Sequence, residues 1–151
     1  MMETKASADK YECIRLNNQV CFPLYACSKE LIRRYRKPLE TLGLTYTQYV
    51  VMMALWEHGG MTEGELGGKV RLDSGTLTPL LKRLEKQGLL NRVRPDGNER
   101  KLYLSLTAEG EALKDRALSI PQTMRGCLDM PEEELVQLKH LLGKALSSME
   151  D

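Results

Sequence analysis

The residues with the most chemistry to offer gather at positions 72–90, LDSGTLTPLLKRLEKQGLL. Pro79, Lys82, Arg83 and Lys86 recur at the spacing of one helix face. Leu77, Leu80, Leu81 and Leu84 recur at i, i+3, i+4, i+7 on the opposite face. Asp73, Ser74 and Thr76 place short side-chain oxygens at the start, where helix N–H groups lack partners. Gly88 supplies a C-terminal stop. A helix entering the major groove of DNA needs this layout: leucines to anchor it, tip residues for base edges and Lys/Arg for phosphates. On its own the pattern equally describes a surface helix with a solvated basic face. The remaining reactive residues are Cys13, Cys21, Cys27 and Cys127. None form a Cys-x-x-Cys pair, and His58 and His140 lie far from them, so no zinc site and no other metal or cofactor is expected. By spacing alone, each cysteine reads as a small apolar residue.

The segment C-terminal to this helix favours DNA. Residues 90–94, LNRVR, and 101–106, KLYLSL, alternate as strands do, with Leu102, Leu104 and Leu106 on one face. Pro95-Asp96-Gly97-Asn98 lies between them as a turn. The result is a β-hairpin with Arg94 and Arg100 flanking its tip, where arginine is drawn into a narrow minor groove. Helix, helix, basic hairpin is the order of a winged helix-turn-helix. From Lys69 through Lys101 there are nine Lys/Arg against four Asp/Glu, although the net charge of the whole chain is only +1. A local basic patch on a near-neutral chain is an electrostatic footprint for nucleic acid.

The elements that must position this unit are helical. The chain of 151 residues, 42% apolar and 28% charged, fits one soluble domain, 1–151. It has no apolar run long enough for a membrane span and no signal pattern, so a cytoplasmic protein without a membrane partner is expected. Residues 1–10 are polar and unpatterned and read as a mobile end. Leu16, Val20, Leu24, Leu31 and Tyr35 predict one helix over about 12–36, kinked or started by Pro23. Thr45 with Gln48, and Thr62 with Glu65, form capping boxes for two further helices. Thr107 caps a helix running toward Ile120 and interrupted at Pro121. A last helix begins after Pro131, with Glu132, Glu133 and Glu134 at its positive end and Leu135, Leu138, Leu142, Leu146 and Met149 as an apolar stripe. The expected fold is mainly α with a small β-hairpin wing. A DNA-binding lobe at 46–106 lies between helical segments, 11–45 and 107–151, that pair two copies as a homodimer. The stripes could equally complete the core of a monomer.

The helix at 72–90, the NER before KLYLSLT and the order of elements resemble the MarR family of winged-helix repressors. LNNQVCF at 16–22 resembles the organic-hydroperoxide-sensing branch, the OhrR group. This resemblance implies that Cys21 is the peroxide sensor, that Tyr35 and Tyr46 hydrogen-bond to it, and that Cys127 is a resolving thiol of the two-cysteine subgroup. Asn98 stands where wings of this family commonly carry Asp, and so removes a carboxylate that could hold the wing arginine.

A thiolate attacks peroxide, and tyrosine O–H groups stabilise a thiolate. The resulting sulfenic acid is captured by a second thiol. The expectation is a redox-sensing repressor, not an enzyme, that holds double-stranded operator DNA when reduced and releases it when organic hydroperoxide oxidises Cys21, with Cys127 of the partner subunit closing the disulfide. Two alternatives stay open: a MarR-type repressor released by a non-covalent small molecule, and a thiol peroxidase. The second is disfavoured by the lack of a Cys-x-x-Cys within a βαβ pattern.

Overall fold

A computed structural model describes residues 9–150. Two single 3₁₀ turns, Glu12–Ile14 and Leu16–Asn18, precede α1 (Cys21–Glu40) and α2 (Tyr46–His58). Then come β1 (Met61–Thr62), α3 (Glu63–Val70), α4 (Ser74–Lys86), β2 (Leu90–Val93) and β3 (Tyr103–Leu106). The chain ends with α5 (Ala108–Ala117), α6 (Ser119–Met124) and α7 (Glu132–Ser147). The mobile end expected for residues 1–10 falls mostly outside the described residues. Within it, Asp9 bonds the Tyr11 N–H at 3.0 Å and pairs with Arg15 at 2.6 Å.

Both capping boxes form. Thr45 Oγ1 accepts from the Gln48 N–H while Gln48 Oε1 accepts from the Thr45 N–H at 2.9 Å. Thr62 and Glu65 exchange the same pair of bonds. Each box satisfies two otherwise orphaned donors, which fixes where α2 and α3 begin. Asp73 Oδ1 accepts from the Thr76 N–H at 2.7 Å and opens α4 in the same way. Gly88, at φ 76°, takes the left-handed conformation that ends α4.

Three local expectations are corrected. The helix expected over 12–36 is two 3₁₀ turns followed by α1, which starts at Cys21 and runs past Arg36 to Glu40. Pro23 lies in the first turn of α1, where its missing N–H leaves no helix bond unmade, so of its two expected roles it takes the start of the helix. Before it, the side chains of Asn18 and Gln19 donate to the carbonyls of Glu12 and Cys13 at 2.8 and 2.7 Å and hold the compact turns. The break after α5 comes at Leu118, and Pro121 lies in the first turn of α6. The wing belongs to a three-stranded antiparallel sheet of order β1-β3-β2, with Met61 opposite Leu104 and Arg92 opposite Leu104 from the other side. Two residues of β1 are too few to show alternation in sequence.

The core is leucine-rich. Leu77, Leu80, Leu81 and Leu84 of α4 are buried together with Leu39, Met52, Leu55, Leu66, Leu90 and Leu104. Truncating any one of these leucines to alanine would cost about 2–5 kcal/mol, since the cavity only partly closes. In contrast, α7 buries no residue. Leu141, Leu142 and Leu146 are exposed there and Met149 just beyond it, and Ile14, Leu16, Val20 and Tyr25 are exposed near the other end.

One contact sets how α5 meets the wing. A Cβ on Gly110 would overlap the Leu89 carbonyl oxygen, so only glycine lets α5 cross that backbone. The Trp56 indole N–H donates to the Gly110 carbonyl at 2.9 Å and pins α2 to the same point. Gly110→Ala should therefore act as overpacking and destabilise by about 1–3 kcal/mol. Urea unfolding checks this: the midpoint should fall with the slope unchanged, and an unaltered midpoint would show that α5 can shift freely.

Candidate DNA interface and thiol site

The basic helix is seated as its leucines require. With one face buried, α4 turns Ser74, Thr76, Pro79, Lys82, Arg83 and Lys86 outward, and all six are exposed. It is braced from the side by Thr78, whose hydroxyl donates to Glu63 of α3 at 2.6 Å. The wing tip is built from successive turns. The Asn98 N–H donates to the Pro95 carbonyl at 3.1 Å, and the Lys101 N–H to the Asn98 carbonyl at 3.3 Å. Asn98 has not lost all hold on the wing arginine: its side-chain oxygen accepts the Arg100 backbone N–H at 3.2 Å. The guanidinium of Arg100 stays exposed, while that of Arg94 bonds the Glu99 carbonyl.

Between the wing and the helix-turn-helix lies a cleft of about 800 Å³, lined by Ser74, Arg94 and Arg100 together with Arg71 and Lys101. Its four basic side chains outnumber Glu63 and Asp73, so it brings the helix tip and the wing to one concave surface of net positive charge, the shape a phosphate backbone fits. Arg71 was not among the residues singled out from sequence. It sits at φ 55°, in the turn joining α3 to α4, and pairs with Glu150 near the C-terminal end. Its position between two capped helices was the available signal. Arg92 does not join this surface; it is half-buried and pairs with Glu85 of α4 at 3.2 Å, tying β2 to the helix.

The thiol site is divided. Cys21 is exposed at the first position of α1. Tyr35 and Tyr46 meet at a ring-centroid distance of 4.9 Å, with Tyr49 at 6.1 Å from Tyr35. Burial first, then the neighbouring tyrosines, raises the phenol of Tyr35 above its ordinary value, and the same causes raise Tyr49. Both therefore stay protonated donors at neutral pH. Fourteen residues of helix separate Cys21 from Tyr35, about 21 Å at 1.5 Å per residue. One chain thus brings the two tyrosines together but not the cysteine with them. Cys127, half-buried after α6, lies instead beside the middle of α1, where Arg34 donates to its carbonyl at 3.3 Å. Among the described residues no group of His, Cys, Asp and Glu could hold a metal ion, and no helix is long and apolar enough to cross a membrane.

A capped helix pair, a basic reading helix and a three-stranded wing define a winged helix-turn-helix DNA-binding protein. Residues 44–102 match the model of the MarR family. The organic hydroperoxide resistance transcriptional regulator of Bacillus subtilis is 43% identical over 141 residues, covering 93% of this chain and 96% of that protein. The chain belongs to the MarR family. Among solved structures, reduced AbfR bound to DNA is 34% identical, with a TM-score of 0.75 over 93% of this chain and 98% of that one. Disulfide-formed AbfR is 40% identical over the 88% of this chain and 96% of that one that align, with a TM-score of 0.63. AbfR is a protein of Staphylococcus epidermidis. The chain is therefore a MarR-type transcriptional regulator similar to redox-sensing members.

Arg83→Ala and Arg100→Ala should each weaken operator binding and flatten the log Kd–log salt slope by about one, as expected for a lost phosphate contact. Titrations at several salt concentrations check this. Unchanged affinity and slope in both variants would remove α4 and the wing from the interface.

Proposed function

We propose that this protein is a homodimeric repressor that binds double-stranded operator DNA when reduced and lets go when an organic hydroperoxide oxidises Cys21. The observation that carries this reading is the exposed Cys21 at the head of α1, in a chain alike over nearly its whole length to an organic hydroperoxide resistance regulator. The dimer is supported by the apolar side chains left in water along α7 and around residues 14–25, which one chain does not cover. It is supported also by the separation of about 21 Å between Cys21 and the tyrosine pair, which a second copy can close by laying its α1 across Tyr35 and Tyr46.

The chemistry runs in two balanced steps. The Cys21 thiolate attacks the terminal peroxide oxygen, the O–O bond breaks, and the alcohol leaves with a proton. Sulfur is oxidised to sulfenic acid. Cys127 of the partner then attacks that sulfur as a thiolate. An S–S bond forms, the S–O bond breaks and water leaves. The existence of a disulfide-formed structure of AbfR beside its reduced DNA-bound one supports a disulfide step in a relative of this chain. Two reading helices must lie about 34–36 Å apart to enter successive major grooves, so a shift of the dimer is enough to release DNA.

A groove of about 520 Å³ beside Tyr46, apolar with Leu44 and Ile32 and rimmed by Lys29, Arg33 and Arg36 against one carboxylate, Glu40, favours the second reading: release by a non-covalent anionic ligand. The two readings part on one variant. Cys21→Ser should bind operator as tightly as wild type and stay bound under cumene hydroperoxide, while Tyr35→Phe and Tyr46→Phe should bind normally but oxidise more slowly. A gel-shift series with reduced, peroxide-treated and re-reduced protein measures this. Peroxide release of Cys21→Ser protein would overturn the sensor assignment.

A further inference from the structure

Cys27 has no role in the sensing scheme proposed above, yet it lines a small cavity with Cys127 of its own chain. Cys27, Leu31, Arg34 and Tyr35 stand at i, i+4, i+7 and i+8, one face of α1. The segment after α6 lies across that face. Gly126, at φ 82°, turns the chain back, and the Cys127 N–H closes the turn onto the Met124 carbonyl at 3.1 Å. Arg34, held by Glu30 at 3.3 Å, donates to the Cys127 carbonyl. The open cavity of about 130 Å³ there is lined by both cysteines with Glu30, Leu31, Arg34 and Leu128. Both thiols are free, Cys27 exposed and Cys127 half-buried. Cys21 does not line this cavity. It stands six residues earlier on α1, about 9 Å along the axis and most of the way round to another face.

We propose that Cys27 is a further redox-active thiol, and that it takes Cys127 of its own chain into a disulfide by exchange with the bridge between subunits. The inference rests on the reading of Cys21 as sensor only for the source of that bridge. The Cys27 thiolate attacks Cys127 Sγ, the Cys27–Cys127 bond forms, and the bond to the partner's cysteine breaks. The sensor leaves as a thiolate and takes up the proton that Cys27 gave. No net oxidation occurs; the disulfide moves from between chains to within one. The new bond fastens the post-α6 segment to α1 where it already lies, so the dimer regains a free sensor without displacing that segment.

Two measurements, both in a Cys13→Ser background, test this. First, Cys21→Ser protein is oxidised with diamide, alkylated, run without reductant and mapped by mass spectrometry. A Cys27–Cys127 linked peptide in the monomer band is expected. Its absence, or its presence only in a dimer band, overturns the pairing, whether or not Cys21 senses peroxide. Second, protein with Cys21 intact receives one equivalent of cumene hydroperoxide and is quenched over time. The cross-linked dimer should rise and then decay as the linked peptide appears in monomer, while the Cys27→Ser variant keeps its cross-link at least several-fold longer. Equal persistence in the two proteins overturns the exchange. No cross-link in either would count against the Cys21 reading, with the diamide arm still deciding the Cys27–Cys127 pair.

Discussion

Twenty residues of unbroken helix put about 30 Å between the ends of α1, and that length governs what a single chain can do. Its C-terminal end is anchored: Leu39 is fully buried and Tyr35 packs on Tyr46 and Tyr49. Its N-terminal end, with Cys21, Phe22, Leu24 and Tyr25, stands in solvent. A helix cannot fold back on itself without losing its hydrogen-bond ladder, so the thiol at one end and the phenols at the other stay apart. Any chemistry that needs both must be completed by a second molecule. The same length makes the helix a stiff rod between the exposed Cys21 end and the winged helix-turn-helix lobe.

The lobe itself is held by contacts within one chain. Its elements are joined by short connections and closed by local devices: two capping boxes, the Asp73 cap and the Arg92–Glu85 pair between strand and helix. The pair is exposed enough on the Glu85 side that its net contribution is of the order of 0–1 kcal/mol. Most of the stability must come from the leucine seam. Four leucines of α4 against Leu66, Leu90 and Leu104 decide which face of the helix is left for DNA. Position on the buried seam, more than cation count, therefore determines which lysines and arginines face outward. Arg92 shows the converse, a cation in the same basic stretch turned inward by strand register.

This division explains what was legible in the sequence. Elements whose signals are local were readable: α4 from its two faces, α2 and α3 from their capping boxes, the wing from its turn. Features that arise from tertiary contact were not. The two-residue β1 exists only because β3 offers a free edge. The 3₁₀ turns before α1 are held by Asn18 and Gln19 side chains reaching back to carbonyls, which hydrophobic spacing does not register. Arg71 carried no periodic signal, since its place in the cleft comes from the geometry of the turn. The residues of the thiol site were nameable only by resemblance. Spacing could not show that Tyr35 and Tyr46 face each other, nor that Cys127 lies beside Cys27 and not Cys21.

The route by which a change at α1 can reach α4 is set by where the packing is tightest. Around Gly110 the backbones of α5 and the β2 entry approach so closely that no Cβ fits, and Trp56 fastens α2 to the same carbonyl. Thr107 adds a bond from its hydroxyl to the Gly88 carbonyl at 2.6 Å. With interior packing near crystal density, such a junction resists sliding and transmits displacement. The α2–α5–wing assembly therefore moves as one body. The looser joints lie elsewhere, at the Leu118 break between α5 and α6 and at the Gly126 turn, both on exposed backbone. A new bond or strain at Cys127 acts on the side of those joints away from the lobe. Under the proposed mechanism it would swing the winged helix-turn-helix as a unit while leaving α4 and its leucine seam intact, so release of DNA would need no unfolding of α4.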